Sequence, residues 1–451
     1  MEGEWVTIGE IAKIYDGPHA TPKKVGDGPY FLSISSLVGG KLDLSKSPRI
    51  SEEQFEKWTR RVTPKPGDLL FSYETRLGEA ALMPEGVKAC LGRRMGLLRP
   101  NKNKVDPKYF LFAFLGPDFQ QEIKKRTIYG ATVERIALRE LPEFPIRLPP
   151  LPKQRAIAHI LGTLDDKIEL NRQMNRTLEA MAQALFKSWF IDFDPVVVNA
   201  LHAGNPVPEK FAQRAAHYRD NPRALSLPED TLRQFPDRFQ DSELGPIPEG
   251  WKKGCVAEFG DVVCGKTPPT KDKANYGEDV PFIKIPDMHG KVYVTSTEIR
   301  LSQKGAETQS SKYIPPNSVC VSCIATPGLV VLTSSVSQTN QQINTVVPKS
   351  TSPYYVFCAL RRLGEQIRAG GSGGSVFSNL NKSRFSALRV LLPERRAVDI
   401  FHIAVEMWFE NMLANDKQSH TLTTLRDTLL PKLISGELCV PDAEKLLEAS
   451  L

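Results

Sequence analysis

The segment GDVVCGKT, Gly260–Thr267, contains the residues of a phosphate-binding loop. In the pattern GxxxxGK[ST], the loop amides and the lysine bind nucleotide phosphates, and the hydroxyl residue binds magnesium. This chemistry requires a buried strand before the loop and a helix after it. Thr267 is instead followed by Pro268, Pro269 and a polar segment that lacks the pattern of an apolar helix. We interpret the segment as a turn at a strand end, and an enzyme that binds nucleotide there is the alternative hypothesis.

Cysteine, histidine and glycine provide no stronger pattern for catalysis or metal binding. Cys320 and Cys323 form a CxxC, but the apolar run SVCVSCIA is typical of a buried strand, and the sequence has no second CxxC. The seven cysteines are scattered and odd in number, which argues against a disulfide framework. The histidines show no HExxH spacing, and the glycine-rich Ala369–Ser375 lacks GxGxxG spacing. We predict no catalytic residue and no metal site in this chain.

Two polar segments have side chains that suit the reading of DNA bases. SQTNQQIN, residues 337–344, provides amides that can form two hydrogen bonds with adenine, and LGRRMG, residues 91–96, provides guanidinium groups suited to guanine. Lysines in the same two parts of the chain are candidates for phosphate contacts, although each could also be an ordinary solvated residue. The predicted DNA-binding residues are Lys23, Lys24, Arg93, Arg94, Lys266, Lys271, Lys273, Asn340, Gln341 and Gln342.

Positive charge is concentrated in the two parts of the chain that hold these candidates. The chain has 451 residues and a formal net charge of +7. Residues 1–150 carry +5 and residues 246–393 carry +7, whereas all other residues together carry −5. Two basic surfaces are expected of a protein that meets phosphate at two places, although two ordinary basic domains would give the same counts. No apolar run is long enough to cross a membrane and the polar start is unlike a secretory signal, so we expect a soluble, cytoplasmic protein.

The elements that would position these residues occur twice. TLEAMAQALFKSWF, residues 177–190, and TLTTLRDTLLPKLI, residues 421–434, have apolar residues at the same places, 244 residues apart. The same offset aligns residues 130–149 with residues 374–393, and both segments end in the alternating pattern of a strand. Upstream, GPYFLSISS and VTPKPGDLLFS resemble DVPFIKIPD and YIPPNSVCVS, and each predicts a short strand. Each half therefore predicts an α/β domain followed by one long helix.

Two heptad-like seams predict that the long helices pair with each other. One seam starts at Ile157 and the other at Phe401, and both contain an asparagine, Asn171 and Asn415, that could fix the register. Pro431 is expected to kink or end the second helix. An antiparallel pair would form a rod with a basic domain at each end, so its length would set the spacing of the DNA contacts. The residues predicted for helix pairing or partner docking are Leu178, Met181, Leu185, Trp189, Phe190, Leu422, Leu425, Leu429 and Leu433.

The predicted fold class is α+β, with two α/β domains in tandem pseudo-repeat joined by two long helices that form an antiparallel coiled coil. The segment between the halves is rich in Pro, Asp and Asn and predicts a long surface connector with one short helix near Lys210–His217. The predicted boundaries are 1–150 for the first domain, 151–193 for the first helix, 194–245 for the connector, 246–393 for the second domain, 394–436 for the second helix and 437–451 for the tail.

Four segments resemble the specificity subunit of type I restriction–modification enzymes. They are LPPLPKQRAI at 148–157, ALFKSWFIDFDPV at 184–196, SELGPIPEGW at 242–251 and LLPKLISGEL at 429–438. The resemblance covers nearly the whole chain, and FKSWF-IDFDP is its most specific part. In the second half, LLPERRAVDIF stands where the first has LPPLPKQRAI, so the Pro-Leu-x-x-Gln start of the helix is not repeated.

The resemblance implies that each α/β domain is a target-recognition domain that reads one half of a split site in double-stranded DNA. It implies that the helices set the gap between the halves and dock two modification subunits, which bind S-adenosylmethionine and methylate adenine. Separate restriction subunits would supply translocation and cleavage that depend on ATP and magnesium. This chain would itself be non-catalytic and hold no cofactor. A coiled-coil scaffold that recruits proteins without reading DNA is a further alternative.

Overall fold

The computed structural model describes residues 4–18, 22–130, 133–225, 227–243, 245–369 and 380–448. Most of the glycine-rich segment Ala369–Ser375, and the start of the repeated segment at Gly374, lie outside the described residues. The chain divides into two compact units, one formed by residues 1–168 and 421–451 and the other by residues 169–420. Each unit contains one α/β domain and part of each long helix.

A four-stranded antiparallel sheet forms the centre of the first α/β domain. Its strands lie in the order Ala12–Asp16, Met95–Pro100, Leu69–Ser72 and Ala80–Leu82. The inner strand LLFS is buried along its whole length, as expected of a strand that is covered on both faces. The smaller pairs are Glu4–Thr7 antiparallel to Pro145–Leu148, Val25–Phe31 parallel to Ala89–Cys90, and Leu37–Val38 antiparallel to Lys41–Leu42.

The helices of the first domain begin at residues that suit a helix N-terminus. The side chains of Ser51 and Asp106 accept hydrogen bonds from the backbone N–H groups of Gln54 at 3.3 Å and Tyr109 at 3.0 Å. The helix that follows Asp106 is buried at six consecutive positions, so it packs inside the domain rather than on its surface. The α-helices are Ile8–Ile11, Glu52–Trp58, Pro107–Leu115 and Pro117–Lys125.

The second α/β domain has the same plan with one more strand. Its central sheet has the order Gly260–Cys264, Ile343–Pro348, Val319–Ser322, Val330–Thr333 and Tyr293–Val294, and the last pair is parallel. Lys252–Cys255 is antiparallel to Arg389–Leu392, while Tyr276–Ile283 lies between Arg300–Leu301 and Gln338–Thr339. The α-helices are Ile285–Met288, Gln303–Glu307, Pro353–Ala369 and Lys382–Ser386.

Equivalent hydrogen bonds show that the two domains repeat one framework. The hydroxyl of Tyr109, on the main helix of the first domain, donates to the carbonyl of Arg147 on the closing strand at 2.9 Å. The hydroxyl of Tyr355 donates to the carbonyl of Leu391 at 2.9 Å in the second domain. The predicted tandem repeat is therefore confirmed.

The long helices span Leu151–Phe190 and Arg395–Ser435. Pro431 lies inside the second helix, which continues to Ser435 and ends before Gly436, a glycine with a left-handed φ of 76°. Pro431 therefore does not end the helix. A further helix, Val440–Glu448, follows it. None of the helices in the described part of the chain has an apolar stretch that could span a lipid bilayer.

The segment between the two halves belongs to the core of the second unit, so the prediction of a surface connector is wrong. It forms the helices Asp194–Ala203, Ala212–Asp220 and Glu229–Leu232 and a pairing of Phe239–Gln240 with Ile247–Pro248. Val196, Val197, Phe211 and Phe235 are buried in the same apolar cluster as Phe401. The short helix predicted near Lys210–His217 is present. Proline divides this segment into helices that are too short to show an apolar period in the sequence.

Candidate nucleic-acid interface

A short turn lies at the same place in both α/β domains, directly before the second strand of the central sheet. It consists of Gly92–Arg94 in the first domain and Asn340–Gln342 in the second, and we refer to these as the 92–94 turn and the 340–342 turn. The pairing of Ala12–Asp16 with its neighbour and that of Gly260–Cys264 with its neighbour share one register, at an offset of 248 residues. Arg93 and Arg94 are therefore equivalent to Gln341 and Gln342.

A glycine packs the preceding strand against each turn. The N–H groups of Gly17 and Gly265 donate to the carbonyl of the residue that follows the turn, at 2.8 and 3.1 Å. A Cβ atom on Gly17 would lie 2.3 Å from the carbonyl oxygen of Gly92, and one on Gly265 would lie 2.1 Å from that of Asn340. Neither position can hold a side chain unless the turn moves. The same contact therefore fixes the backbone of both turns.

The 92–94 turn presents Arg93 to solvent and holds Arg94 against the domain. Arg93 is exposed. Arg94 has a left-handed φ of 70°, its Nε lies 2.9 Å from Oε2 of Glu74, and its Nη1 donates to Oγ1 of Thr75 at 3.3 Å. Both arginines are predicted to suit guanine, but the guanidinium of Arg94 is engaged by the carboxylate of Glu74. Arg93 is the arginine of this turn that can reach a ligand.

The 340–342 turn makes the same division. Gln341 is exposed, and its Oε1 accepts a hydrogen bond from Oγ1 of Thr267 at 2.6 Å. Asn340 is only 8% exposed, and its side chain donates to Oε1 of Gln342 and accepts from the N–H of Gln342, both at 3.1 Å. All three residues are predicted to suit adenine, but Asn340 and Gln342 bind each other. Gln341 is the side chain of this turn that faces solvent.

The predicted lysines of the second domain lie on the loop that packs against the 340–342 turn. Lys266, Lys271 and Lys273 are exposed. The backbone N–H of Lys266 donates to the carbonyl of Thr339 at 2.9 Å, which places this residue beside the turn. This loop therefore places an exposed lysine beside the exposed amide of Gln341.

The geometry of this loop does not support the nucleotide-binding alternative. Gly260–Cys264 is a strand, and the next helical segment after Thr267 is the single turn Lys273–Asn275. A phosphate-binding loop needs the N-terminus of a longer helix at this place. Cys320 and Cys323 are buried free cysteines, as the apolar run around them predicts.

The first domain has a group of cations that sequence reasoning missed. Lys23 and Lys24 are exposed, and the backbone of Lys23 exchanges two hydrogen bonds with the side chain of Gln54. Beside the 92–94 turn lies a cavity of about 400 Å³. It is lined by Asp16, Gly17, Pro18, Lys57, Trp58, Arg60, Arg61, Val62 and Leu91. The run KWTRR at residues 57–61 is the signal in the sequence, since it places three cations around one tryptophan.

A cluster of polar side chains joins the long helices in the second unit. Asn171 is 1% exposed, and its Nδ2 donates to the carbonyl of Asn415 at 3.4 Å and to Oε1 of Gln418 at 2.9 Å. Four residues further along the first helix, Nδ2 of Asn175 donates to the carbonyl of Met412 at 3.1 Å. The helices therefore run in opposite directions. Asn171 and Asn415 both belong to this seam, as predicted, and the Nδ2 of Asn415 donates to Oδ1 of Asn175 at 2.9 Å. Polar side chains that bond across a helix seam specify its register.

Asp416 is the acidic member of the same cluster. Its Oδ1 accepts a hydrogen bond from Nδ2 of Asn175 at 2.8 Å. Burial raises the pKa of the Asp416 carboxyl to about 6, although the hydrogen bond from Asn175 and the charge of Lys291 act in the opposite direction. Asn175 and Asp416 were not predicted, because neither lies on the apolar seam of the sequence.

The residues predicted for helix pairing divide by burial. Leu422, Leu429 and Leu433 are buried in the core of the first unit, and Leu425 packs against that core. Leu178 and Leu185 pack against the core of the second unit. Met181 is 43% exposed, so its predicted role in helix pairing is wrong. The neighbouring Ala182 is buried instead, because the seam in this half of the helix is shifted by one residue.

Trp189 and Phe190 are buried in the core of the second unit, where they pack against other aromatic rings. The ring of Phe190 lies 4.9 Å from that of Tyr355 and 5.3 Å from that of Phe401, between centroids. The ring of Trp189 lies 5.2 Å from that of Phe235. Of the two roles that the sequence allows, contact with a partner subunit is therefore excluded for these side chains while the unit is folded.

The segment IDFDP anchors the end of the first long helix. Asp194 is only 4% exposed, and it accepts hydrogen bonds from Arg214 at 2.6 Å and from Oγ of Ser188 at 2.7 Å. Arg214 also pairs with Asp192. Phe193 has a left-handed φ of 54° between these two aspartates. The most specific part of the family resemblance thus holds a sharp turn against the helix Ala212–Asp220.

Gln154 has a comparable role at the start of the first long helix. It is 1% exposed, its Oε1 accepts from the N–H of Asp106 at 2.8 Å, and its Nε2 donates to the carbonyls of Lys104 at 3.0 Å and Pro149 at 2.8 Å. The glutamine of LPPLPKQ therefore ties the helix to its own domain. Val398 occupies the corresponding position of the second helix and is buried among apolar residues.

Two α/β domains of one plan, each with a polar turn at the same place and each followed by one helix of an antiparallel pair, define a tandem-domain recognition protein. The sequence matches the family of type I restriction modification DNA specificity domains over residues 2–180 and 248–402. The type I restriction enzyme HindI specificity subunit of Haemophilus influenzae is 36% identical over 400 residues, which cover 83% of this chain and 87% of that protein. The MjaIX specificity subunit of Methanocaldococcus jannaschii is 25% identical over 443 residues, which cover 95% and 88%.

A solved structure has the same fold. The crystal structure of the S subunit of a type I restriction–modification system from M. genitalium aligns with a TM-score of 0.53 and 14% identity over 96% of both chains. The chain therefore belongs to the type I restriction–modification DNA specificity family. It is a specificity subunit with two tandem recognition domains, and the predicted fold class is confirmed.

Proposed function

We propose that each α/β domain reads one half of a bipartite site in double-stranded DNA and that the paired helices set the gap between the halves. The observation that carries the proposal is the equivalence of the 92–94 and 340–342 turns, which present Arg93 and Gln341 from backbones fixed in the same way. Both domains also carry a positive net charge, which suits contact with phosphate. A turn that presents an exposed polar side chain in each of two domains fits a DNA site with two parts.

The proposal assigns the docking of two modification subunits to the long helices. Met174 and Met181 on the first helix, and Ile403 and Met407 on the second, are exposed apolar residues within the second unit. An exposed apolar patch on a soluble protein favours contact with another protein, and the proposal is that these residues form one. Restriction subunits would join the same assembly.

Catalysis is assigned to the partner subunits in this proposal. The modification subunits would bind S-adenosylmethionine and methylate the DNA, and the restriction subunits would use ATP and magnesium. The chain itself would supply sequence selection, and cytoplasmic DNA would be its substrate. A scaffold without DNA reading is the alternative that the experiment must separate from this function.

The test is to map methylated positions in DNA that has been exposed to the chain together with its modification subunits. The proposal expects methylation at one bipartite sequence with a constant gap. Binding should weaken steeply as salt rises, because binding releases cations from the DNA phosphates and this release is less favourable at high salt. Methylation without sequence preference, or preference for one uninterrupted sequence, would contradict the proposal.

A further inference from the structure

We propose that Arg93 and Gln341 each determine one base of the DNA site. Arg93 reads a guanine in the half-site of the first domain, and Gln341 reads an adenine in the half-site of the second. This inference rests on the proposed function, and it adds the identity of the side chain and of the base in each half.

Arg93 and Gln341 occupy equivalent positions in the two domains. Each residue follows a turn residue whose carbonyl is packed against a glycine, Gly17 or Gly265, and a Cβ atom at either glycine would come within about 2.3 Å of that carbonyl. The backbone that carries Arg93 and Gln341 is therefore fixed before any ligand binds. A rigid backbone gives a reading side chain a defined reach and lowers the entropy cost of binding.

The next residue in each turn, Arg94 or Gln342, has its side chain engaged by its own domain. Glu74 engages Arg94, and Asn340 engages Gln342, so each turn offers one polar side chain to a ligand. The ion pair with Glu74 also compensates the charge of Arg94. The positive charge that this turn presents outward is therefore that of Arg93.

A guanidinium can donate two hydrogen bonds to O6 and N7 of guanine, and a carboxamide can accept from N6 and donate to N7 of adenine in the major groove. Arginine, as at position 93, and glutamine, as at position 341, are side chains that make these paired contacts. The framework around them is common to both domains, so the difference at this one position is the difference expected between readers of two bases.

Thr267 acts as a positioning residue for Gln341. Its hydroxyl donates to Oε1 of Gln341 at 2.6 Å and so orients the plane of the amide. Oε1 keeps a second lone pair that can accept from N6 of adenine, and the amide NH₂ can donate to N7. Lys266 lies beside the same turn, where an ammonium group can contact the phosphate of the base that is read.

The test uses the chain with its modification subunits and a DNA library randomised at every position of the wild-type site. We expect Arg93→Gln to change the preference at one position of the first half-site from guanine to adenine by about 10-fold or more, since one paired contact discriminates bases to this extent. We expect Gln341→Arg to make the opposite change at one position of the second half-site. The untouched half-site in each variant shows that the protein is folded and bound.

Matched controls remove or add the same charge elsewhere. Arg139→Gln alters an exposed arginine of the first unit, and Gln213→Arg alters an exposed glutamine of the second. Both should leave every base preference unchanged. Arg93→Lys is a second variant of the first turn, and it should retain guanine with weaker binding, because lysine can also bind O6 and N7.

The outcomes are distinguishable. If the wild-type complex selects a bipartite site and both variants keep its preferences, or bind all sequences more weakly to the same extent, this inference is overturned while the proposed function stands. Binding by Arg93→Lys that is as tight as that of the parent would also overturn it for the first turn, because a contact with two hydrogen bonds from the guanidinium should weaken when lysine replaces it. If the wild-type complex selects no bipartite site, the proposed function fails and this inference fails with it.

Discussion

The first α/β domain holds an ion pair with a buried carboxylate at a place where the second holds a buried hydroxyl. In the first domain, Arg99 donates to both carboxylate oxygens of Asp68, at 3.0 and 2.7 Å, and the Asp68 side chain is 3% exposed. The pairing of the same two strands in the second domain places Ser318 and Val347 there. The hydroxyl of Ser318 donates to the carbonyl of Pro315 at 2.7 Å.

The backbone around this difference is the same in both domains. The residues directly before Asp68 and Ser318 are Gly67 and Asn317, and both have a left-handed φ, of 86° and 59°. Strand register and turn geometry are thus the same in both domains, while the buried polar side chains and their hydrogen bonds differ. The shared backbone therefore determines where a side chain is placed, and the type of side chain at that place can differ between the domains. This holds both inside the domain and at the exposed turns.

Arg99→Met should have the largest effect on stability, because it leaves the buried carboxylate of Asp68 without its cation. We expect a loss of about 3–5 kcal/mol in the free energy of unfolding of the first unit. Chemical denaturation of the whole chain, followed by probes in each unit, measures this loss. A change below about 0.5 kcal/mol would show that the pair does not stabilise the domain.

A double variant sharpens the same comparison. Asp68→Ser with Arg99→Val copies the pair of the second domain into the first, and it should lose less stability than Arg99→Met alone, since no charge is left buried without a partner. A double variant that is less stable than the single variant would show that the two frameworks are not interchangeable at this place.

The glycines beneath the turns provide the next largest effect. Gly265→Ala should displace the 340–342 turn, cost about 1–3 kcal/mol through overpacking, and weaken base selection in the second half-site alone. Gly17→Ala should do the same for the first half-site. Gly26→Ala is the control, because a Cβ atom there meets no atom within 4 Å. Equal effects of one variant on both half-sites would contradict the independence of the two turns.

Asp416 should make a difference that depends on pH and vanishes in acid. Its pKa in the folded protein is about 6, above the ordinary value of 3.8, so the folded state binds more protons than the unfolded state between these values. Stability should therefore fall as pH rises from about 4 to about 6. Asp416→Asn should remove this loss, and the variant should be more stable than the parent by about 3 kcal/mol at pH 7 and similar to it at pH 4. Denaturation curves at both pH values measure the difference, and parallel curves for parent and variant would contradict it.

Apolar periodicity was sufficient to predict the long helices, the repeat and several strands, among them the last strand of each domain. It failed for Met181, because a heptad extended from Ile157 does not register the shift that buries Ala182. It also failed for the segment that begins at Asp194, where short helices bury Val196 and Val197 without a repeating pattern. Burial of short segments depends on contacts between distant parts of the chain, which a local pattern does not contain.

The candidate site was predictable by residue type but not by geometry. The polar segments around Arg93 and Gln341 could be selected because their side chains suit base edges. Their equivalence was not visible, because the offset between the turns is 248 residues whereas the helices repeat at 244, and because the side chains differ. The contacts that engage the side chains of Arg94, Asn340 and Gln342 within the domains required the folded structure.

The most direct test is to determine the DNA site recognised by a chain in which a second copy of the first domain replaces the second domain. The N–H of Ile8 donates to the carbonyl of Phe144, and that of Val256 to the carbonyl of Leu388, both at 3.0 Å, so these pairs mark equivalent junctions. Residues 256–388 are replaced by residues 8–144, and the methylated sequence is mapped with the modification subunits present. The account predicts that the first half-site is now read twice, with the original second half-site lost. Two results would contradict the claim that each domain reads its own half through a shared framework. One is retention of the original second half-site, and the other is a folded chimera with no base preference in that half.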